Sequence, residues 1–145
     1  MTAKEFLSQY GNTKAEIETL FEQIVEQREL SEKITVTFEN DGSTNTNRQN
    51  RIESCVDEIL MLEDEFIRRS SELAAIRRDV FNVISEVKDS KLRALLTMRY
   101  LGCQPFRVIA SKLKNTSGET YDEHHIAHRM HDKALTEVQK ILGKS

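Results

Sequence analysis

All four histidines of this 145-residue sequence lie within eight positions near its C-terminus, and they are the first residues to suggest chemistry. His124, His128 and His131 fall at i, i+4 and i+7, so on a helix they share a face, and three imidazoles on one face can bind a metal. No carboxylate or cysteine nearby completes such a site. Cys55 and Cys103 are far apart and lack metal-ligand spacing. No metal and no other cofactor is expected. Catalysis finds no better footing, because a phosphate-cradling glycine loop, an HExxH pair and a nucleophile–base–orienter set are all missing. The many glutamates fall between apolar stripes, where solvation and i,i+4 pairing account for them. The sequence reads as that of a non-enzyme.

Charge offers a stronger lead. Residues 1–89 hold 11 Lys and Arg against 19 Asp and Glu, net −8, whereas residues 90–145 hold 10 against 5, net +5. An acidic segment joined to a basic one suggests that the basic part meets a polyanion, although chance segregation on solvated faces would give the same counts. No apolar run approaches the ~20 residues needed to cross a bilayer, and MTAKEFLSQY carries no cleavage signature. Free cysteines without a disulfide pattern agree with a soluble protein of the reducing cytoplasm. No membrane contact is expected.

The elements that must position these residues are helical. Ala3 to Ser31 places Phe6, Tyr10, Ile17, Leu20 and Ile24 on one stripe, with a break plausible at Gly11-Asn12. Residues 32–47 read as a surface loop: Ile34, Val36 and Phe38 alternate as in a short extended segment, and a polar run from Asn40 to Asn47 follows. From Arg48 to Lys88 the pattern is strongest. Ile52, Ile59, Phe66, Leu73, Val80 and Val87 recur every seven residues, with Cys55, Leu62, Arg69, Ile76 and Val83 as companions. Only Arg69 interrupts that seam, which requires a partner helix along its length. The first helix can fold back over its N-terminal half. Phe66 to Val87 then needs either the C-terminal domain or a second copy of the chain, and a homodimer through the N-terminal helices is expected.

Beyond Asp89-Ser90, a capping pair, three short helices are predicted. Lys91–Leu101 buries Leu92, Leu95, Leu96 and Tyr100 and stops at Gly102. Pro105–Leu113, with proline at its first position, buries Phe106, Ile109, Ala110 and Leu113. A polar turn, Lys114–Tyr121, leads to a third helix capped by Asp122 and running to about Leu142, with Ile126, Ala127, Met130, Ala134, Leu135, Val138 and Ile141 inward. The expected fold is all-α: a long N-terminal antiparallel helical hairpin, coiled-coil-like, over residues 1–88, then a small helix-turn-helix bundle over residues 89–145.

Specific residues narrow this frame. LRALLTMRYLG (Leu92–Gly102), PFRVIASKL (Pro105–Leu113) and HRMHDKAL (His128–Leu135) resemble region 4 of bacterial sigma factors. The stretch is more similar still to the sigma-region-4-like domain of phage late-operon transcription regulators of the RinA/ArpU type. The pattern falls here on Arg99-Tyr100, Phe106, Ile109-Ala110-Leu113 and His131/Ala134-Leu135. It covers about a third of the chain in detail. The chain departs from it between Leu113 and Ala127, about seven residues longer than the usual tight turn, with Glu119, Asp122 and Glu123 where a recognition helix normally begins.

The resemblance implies a helix-turn-helix regulator of late genes that binds double-stranded promoter DNA. Its third helix would enter the major groove, with Arg129 reading guanine and His124, His125, His128 and Lys133 close to bases or phosphates. Arg107, Lys112 and Lys114 would hold phosphates, which position a protein without specifying sequence. Two other readings stay open. One is a protein-interaction module that contacts host RNA polymerase or another regulator without reading DNA. The other is a small-terminase-like packaging protein, against which the order of parts argues.

Overall fold

The computed structural model of the protein describes residues 1–41 and 46–144. It is all-helical, with no strand among the described residues. Five α-helices follow one another: α1 (Ala3–Asp41), α2 (Thr46–Ser85), α3 (Ser90–Leu96), α4 (Phe106–Lys112) and α5 (His131–Gly143). Two π-helical segments, Thr97–Leu101 and His125–Met130, lead out of α3 and into α5. Among the described residues no helix is long and apolar enough to cross a membrane.

The loop expected over residues 32–47 is replaced for most of its length by helix. Ile34 to Phe38 belong to α1, which continues to Asp41, and α2 already begins at Thr46. A lone extended segment leaves its N–H and C=O groups unpaired, whereas lengthening an existing helix adds a hydrogen bond per residue without new nucleation. A period of two over five residues cannot outweigh that. The turn signals at Gly42–Asn45 lie outside the described residues. No break occurs at Gly11-Asn12 either, for α1 runs through both. A glycine inside a helix costs only about 1 kcal/mol, which the turns on either side absorb.

The chain divides into two compact units, Lys14–Glu72 and Met1–Thr13 with Leu73–Ser145. In the first, partners on α2 fall in number as those on α1 rise: Glu16 meets Arg69, Phe21 lies 6.3 Å from Phe66 between ring centroids, and Arg28 bonds Glu63. Among the described residues of this unit Ile24 is buried, with Ile17, Leu20, Ile59 and Leu62 half-buried. Arg69, the interruption in the seam, is held by Glu65 at 3.1 Å, Glu72 at 3.3 Å and Glu16 at 3.4 Å. Arg68 and Arg69 beside Glu65 hold its carboxyl below the usual carboxylate range.

The second unit has a single closed core. Asp89 caps α3, its Oδ1 accepting from the N–H of Lys91 at 2.9 Å and of Leu92 at 3.5 Å. Leu92, Leu95, Leu96 and Tyr100 are buried behind it. Gly102 follows this stretch at a place where a Cβ would come within 2.8 Å of the Met98 carbonyl oxygen. Pro105 sits one residue before α4 rather than at its first position, with φ −69° and ψ 155°. Ile109, Ala110, Leu113, Ile126, Ala134 and Val138 complete the centre of the core.

Residues of both long helices enter this core as well. Ala3 and Leu7 of α1, Val80 and Ile84 of α2, and Val87 just beyond α2 are all buried in the same cluster. The Ala3 N–H also donates to Gln139 Oε1 at 2.8 Å. Of the two covers the sequence allows for the end of the heptad seam, the C-terminal core is the one found over Val80 to Val87.

Candidate nucleic-acid interface

Arg99, Tyr100, Phe106 and His131 meet in space. The Tyr100 hydroxyl and His131 Nε2 are 2.6 Å apart, and their rings stack with centroids at 5.8 Å. Phe106 meets the same imidazole edge-on at 5.0 Å, and the Arg99 guanidinium lies 4.1 Å over the Phe106 ring while donating to the Gln104 carbonyl at 3.2 Å. Three helical stretches thus meet at the buried His131, which touches both Tyr100 and Phe106. These residues build the scaffold and leave the surface to others.

A π-helical turn leads up to each of Gly102 and His131. Gly102 N–H bonds the Thr97 carbonyl, and His131 N–H bonds that of Ile126, each five residues back. A π turn holds one residue more than an α turn, so every side chain after it is rotated onward. His131 consequently leaves the face that its spacing shares with His124 and His128. It is 8% exposed, whereas those two are exposed and pack against each other with ring centroids 4.4 Å apart and planes tilted by 47°. The i, i+4, i+7 metal face does not form, and among the described residues no group of three metal-ligating side chains occurs.

Burial first, and then the positive charge of Arg99, push the His131 imidazole below its usual pKa; Asp132 opposes and Lys4 adds to the depression. Burial pushes the Tyr100 hydroxyl up. Once unfolded, His131 titrates near 6.5 and takes up a proton that the folded protein resists. Stability is therefore full above about pH 6.5 and falls as pH drops from there toward the depressed folded value, by at most about 1.4 kcal/mol per pH unit. Urea unfolding at several pH values should show this slope, and His131→Gln should flatten it. An unchanged slope in that variant would place the titration on another group.

The cations expected at the surface are there. Arg107 and Lys112 are exposed on α4, Lys114 at the start of the turn, and Arg129 and Lys133 on the third helical stretch. His125 is half-buried, stacked on Tyr121 with ring centroids 5.5 Å apart and planes 9° apart. The long turn between Leu113 and Asp122 is ordered by Asn115, whose Oδ1 accepts from the N–H of Ser117 at 2.9 Å and of Glu119 at 3.0 Å. Lys114 and Thr120 pair across it, and Gly118 supplies the left-handed φ of +82° that it needs. Asp122 contributes its backbone carbonyl, bonded by Ile126 N–H at 3.1 Å, at the start of the third stretch.

Tyr121 is the residue that reasoning from sequence missed. It stacks on His125 and accepts a hydrogen bond from Lys91 Nζ at 3.2 Å, joining the end of the turn to α3. The only available signal was an aromatic residue inside an otherwise polar run. Comparison of the chain with protein-family models, with curated proteins and with solved structures finds no match. The functional reading therefore rests on the residues of this unit.

Proposed function

We propose that the protein is a transcription regulator of the phage or prophage kind that binds double-stranded promoter DNA and acts on late genes. One observation carries the reading. Arg107, Lys112, Lys114, Arg129 and Lys133 are exposed on consecutive elements, and none of them is ion-paired among the described residues. Cations left without protein carboxylates are what a phosphate backbone recruits. On this reading α4 and the helical stretch from Glu123 form a helix-turn-helix whose second part lies in the major groove. α1 and α2 form an antiparallel, coiled-coil-like hairpin, a pairing supported by the falling order of their contacts. Residues 1–88 then serve self-association as a homodimer or contact with another protein.

The test is binding of the purified protein to DNA fragments from its own genomic neighbourhood at about 50 and 200 mM salt. One fragment retained at the higher salt is the expected result. Weak, uniform binding that disappears with salt, or none, would favour the second reading, in which this unit contacts RNA polymerase or another regulator without reading DNA. The exposed Glu119, Asp122 and Glu123 at the entry to the third helical stretch speak for that alternative.

A further inference from the structure

The two sides of the Lys14–Glu72 unit differ in kind. On one side acids and bases neutralise each other: Glu16, Glu65 and Glu72 bind Arg69, and Arg68 is paired with Glu65 and Glu72. The other side is marked by the Arg28–Glu63 pair. Phe21 lies seven residues before Arg28 and Val56 seven before Glu63, so both share that side, since two helical turns return to the same face. Val25, Leu60 and Ile67 follow four residues after Phe21, Val56 and Glu63, in the adjoining rows. The five apolar residues are 57% (Phe21), 40% (Val25), 44% (Val56), 54% (Leu60) and 64% (Ile67) exposed. An apolar stripe this open on two adjacent helices marks a contact surface rather than scattered surface residues.

Its charge identifies the occupant. Glu18, Glu22, Glu29, Glu32, Asp57 and Asp64 surround the stripe; all are exposed, and among the described residues none is ion-paired. The unit as a whole carries 15 Asp and Glu against 7 Lys and Arg, net −8. A second copy seated here would bring two acidic rims face to face, and like charges juxtaposed across an interface are strongly disfavoured. A helix with an apolar stripe flanked by Lys and Arg satisfies both halves of the surface at once.

We propose that this face of α1 and α2 is the docking surface for a basic amphipathic helix of another protein. It stands apart from DNA binding by residues 90–142, and the two readings can fail separately. The probe is a synthetic helix with leucines at i, i+3, i+4 and i+7 and lysines and arginines on both flanks, titrated into the full-length protein by fluorescence anisotropy. Binding should weaken as salt rises, and roughly tenfold in each of Leu60→Ser and Ile67→Ser, whose exposed positions leave the circular dichroism unchanged. The same leucine stripe flanked by glutamates should not bind. The proposal is overturned if the basic helix fails to bind, if both helices bind equally, or if the serine variants bind as well as the parent. It is also overturned if sedimentation shows a dimer that Ile67→Ser dissociates, because the face then belongs to a second copy.

Discussion

Replacing Ile109 by alanine is expected to lower the unfolding free energy by about 2–5 kcal/mol, the range for emptying an aliphatic site in a closed core. Ile109 is 0% exposed in the middle of α4 and shares one cluster with Leu95, Leu96, Ile126, Ala134 and Val138. These neighbours come from α3, the second π-helical segment and α5, so they cannot all relax into the space left behind. Against a domain stability of about 5–15 kcal/mol this is a large fraction. Thermal and urea unfolding followed by circular dichroism would measure it, with Arg107→Ala on the exposed face of the same helix as a control within about 0.5 kcal/mol. A loss below about 1 kcal/mol for Ile109→Ala would mean that the core around α4 is looser than its burial indicates.

The second large effect concerns recognition. Arg129→Ala is expected to cost about 1–3 kcal/mol in binding to a specific DNA site, the value of one bidentate contact to a guanine edge. Arg129 is exposed and pairs with no carboxylate among the described residues, so its removal should leave the melting temperature unchanged. The signature to look for is a relaxed preference at one base position. Lys114→Ala should instead weaken binding evenly across sequences and reduce the salt slope by about one charge. Equal losses on specific and unrelated DNA would move Arg129 from base reading to phosphate holding, and no loss on either would remove it from the interface.

How far the sequence alone could be read depended on the range of the interactions concerned. The Asp89 cap, the stop at Gly102 and the inward Leu92, Leu95 and Leu96 were legible because each is decided within one or two turns of chain. The exposed positions of Arg107, Lys112, Arg129 and Lys133 were legible for the same reason, as the faces opposite apolar stripes, and that of Lys114 as part of a polar turn. Ile34 to Phe38 misled because a five-residue alternation is a local signal too, and the helix it extends is set by its whole length. The buried place of His131 was not legible from its spacing to His124 and His128, which does not reveal the extra residue in the π turn before it.

By itself the sequence determined an all-helical chain, a long seam with one charged interruption at Arg69, and a basic C-terminal segment with exposed cations. Periodicity, capping and charge are carried by near neighbours, and no distant contact is needed to express them. Only the tertiary structure decided that Ala3 and Leu7 join Val80, Ile84 and Val87 in the C-terminal core, that Tyr100 and His131 bond within it, and that carboxylates gather around Arg69 on one side of the Lys14–Glu72 unit while apolar residues stand exposed beside the Arg28–Glu63 pair on the other. Each of these rests on residues tens of positions apart, and no local pattern records which distant side chains will meet once the helices pack.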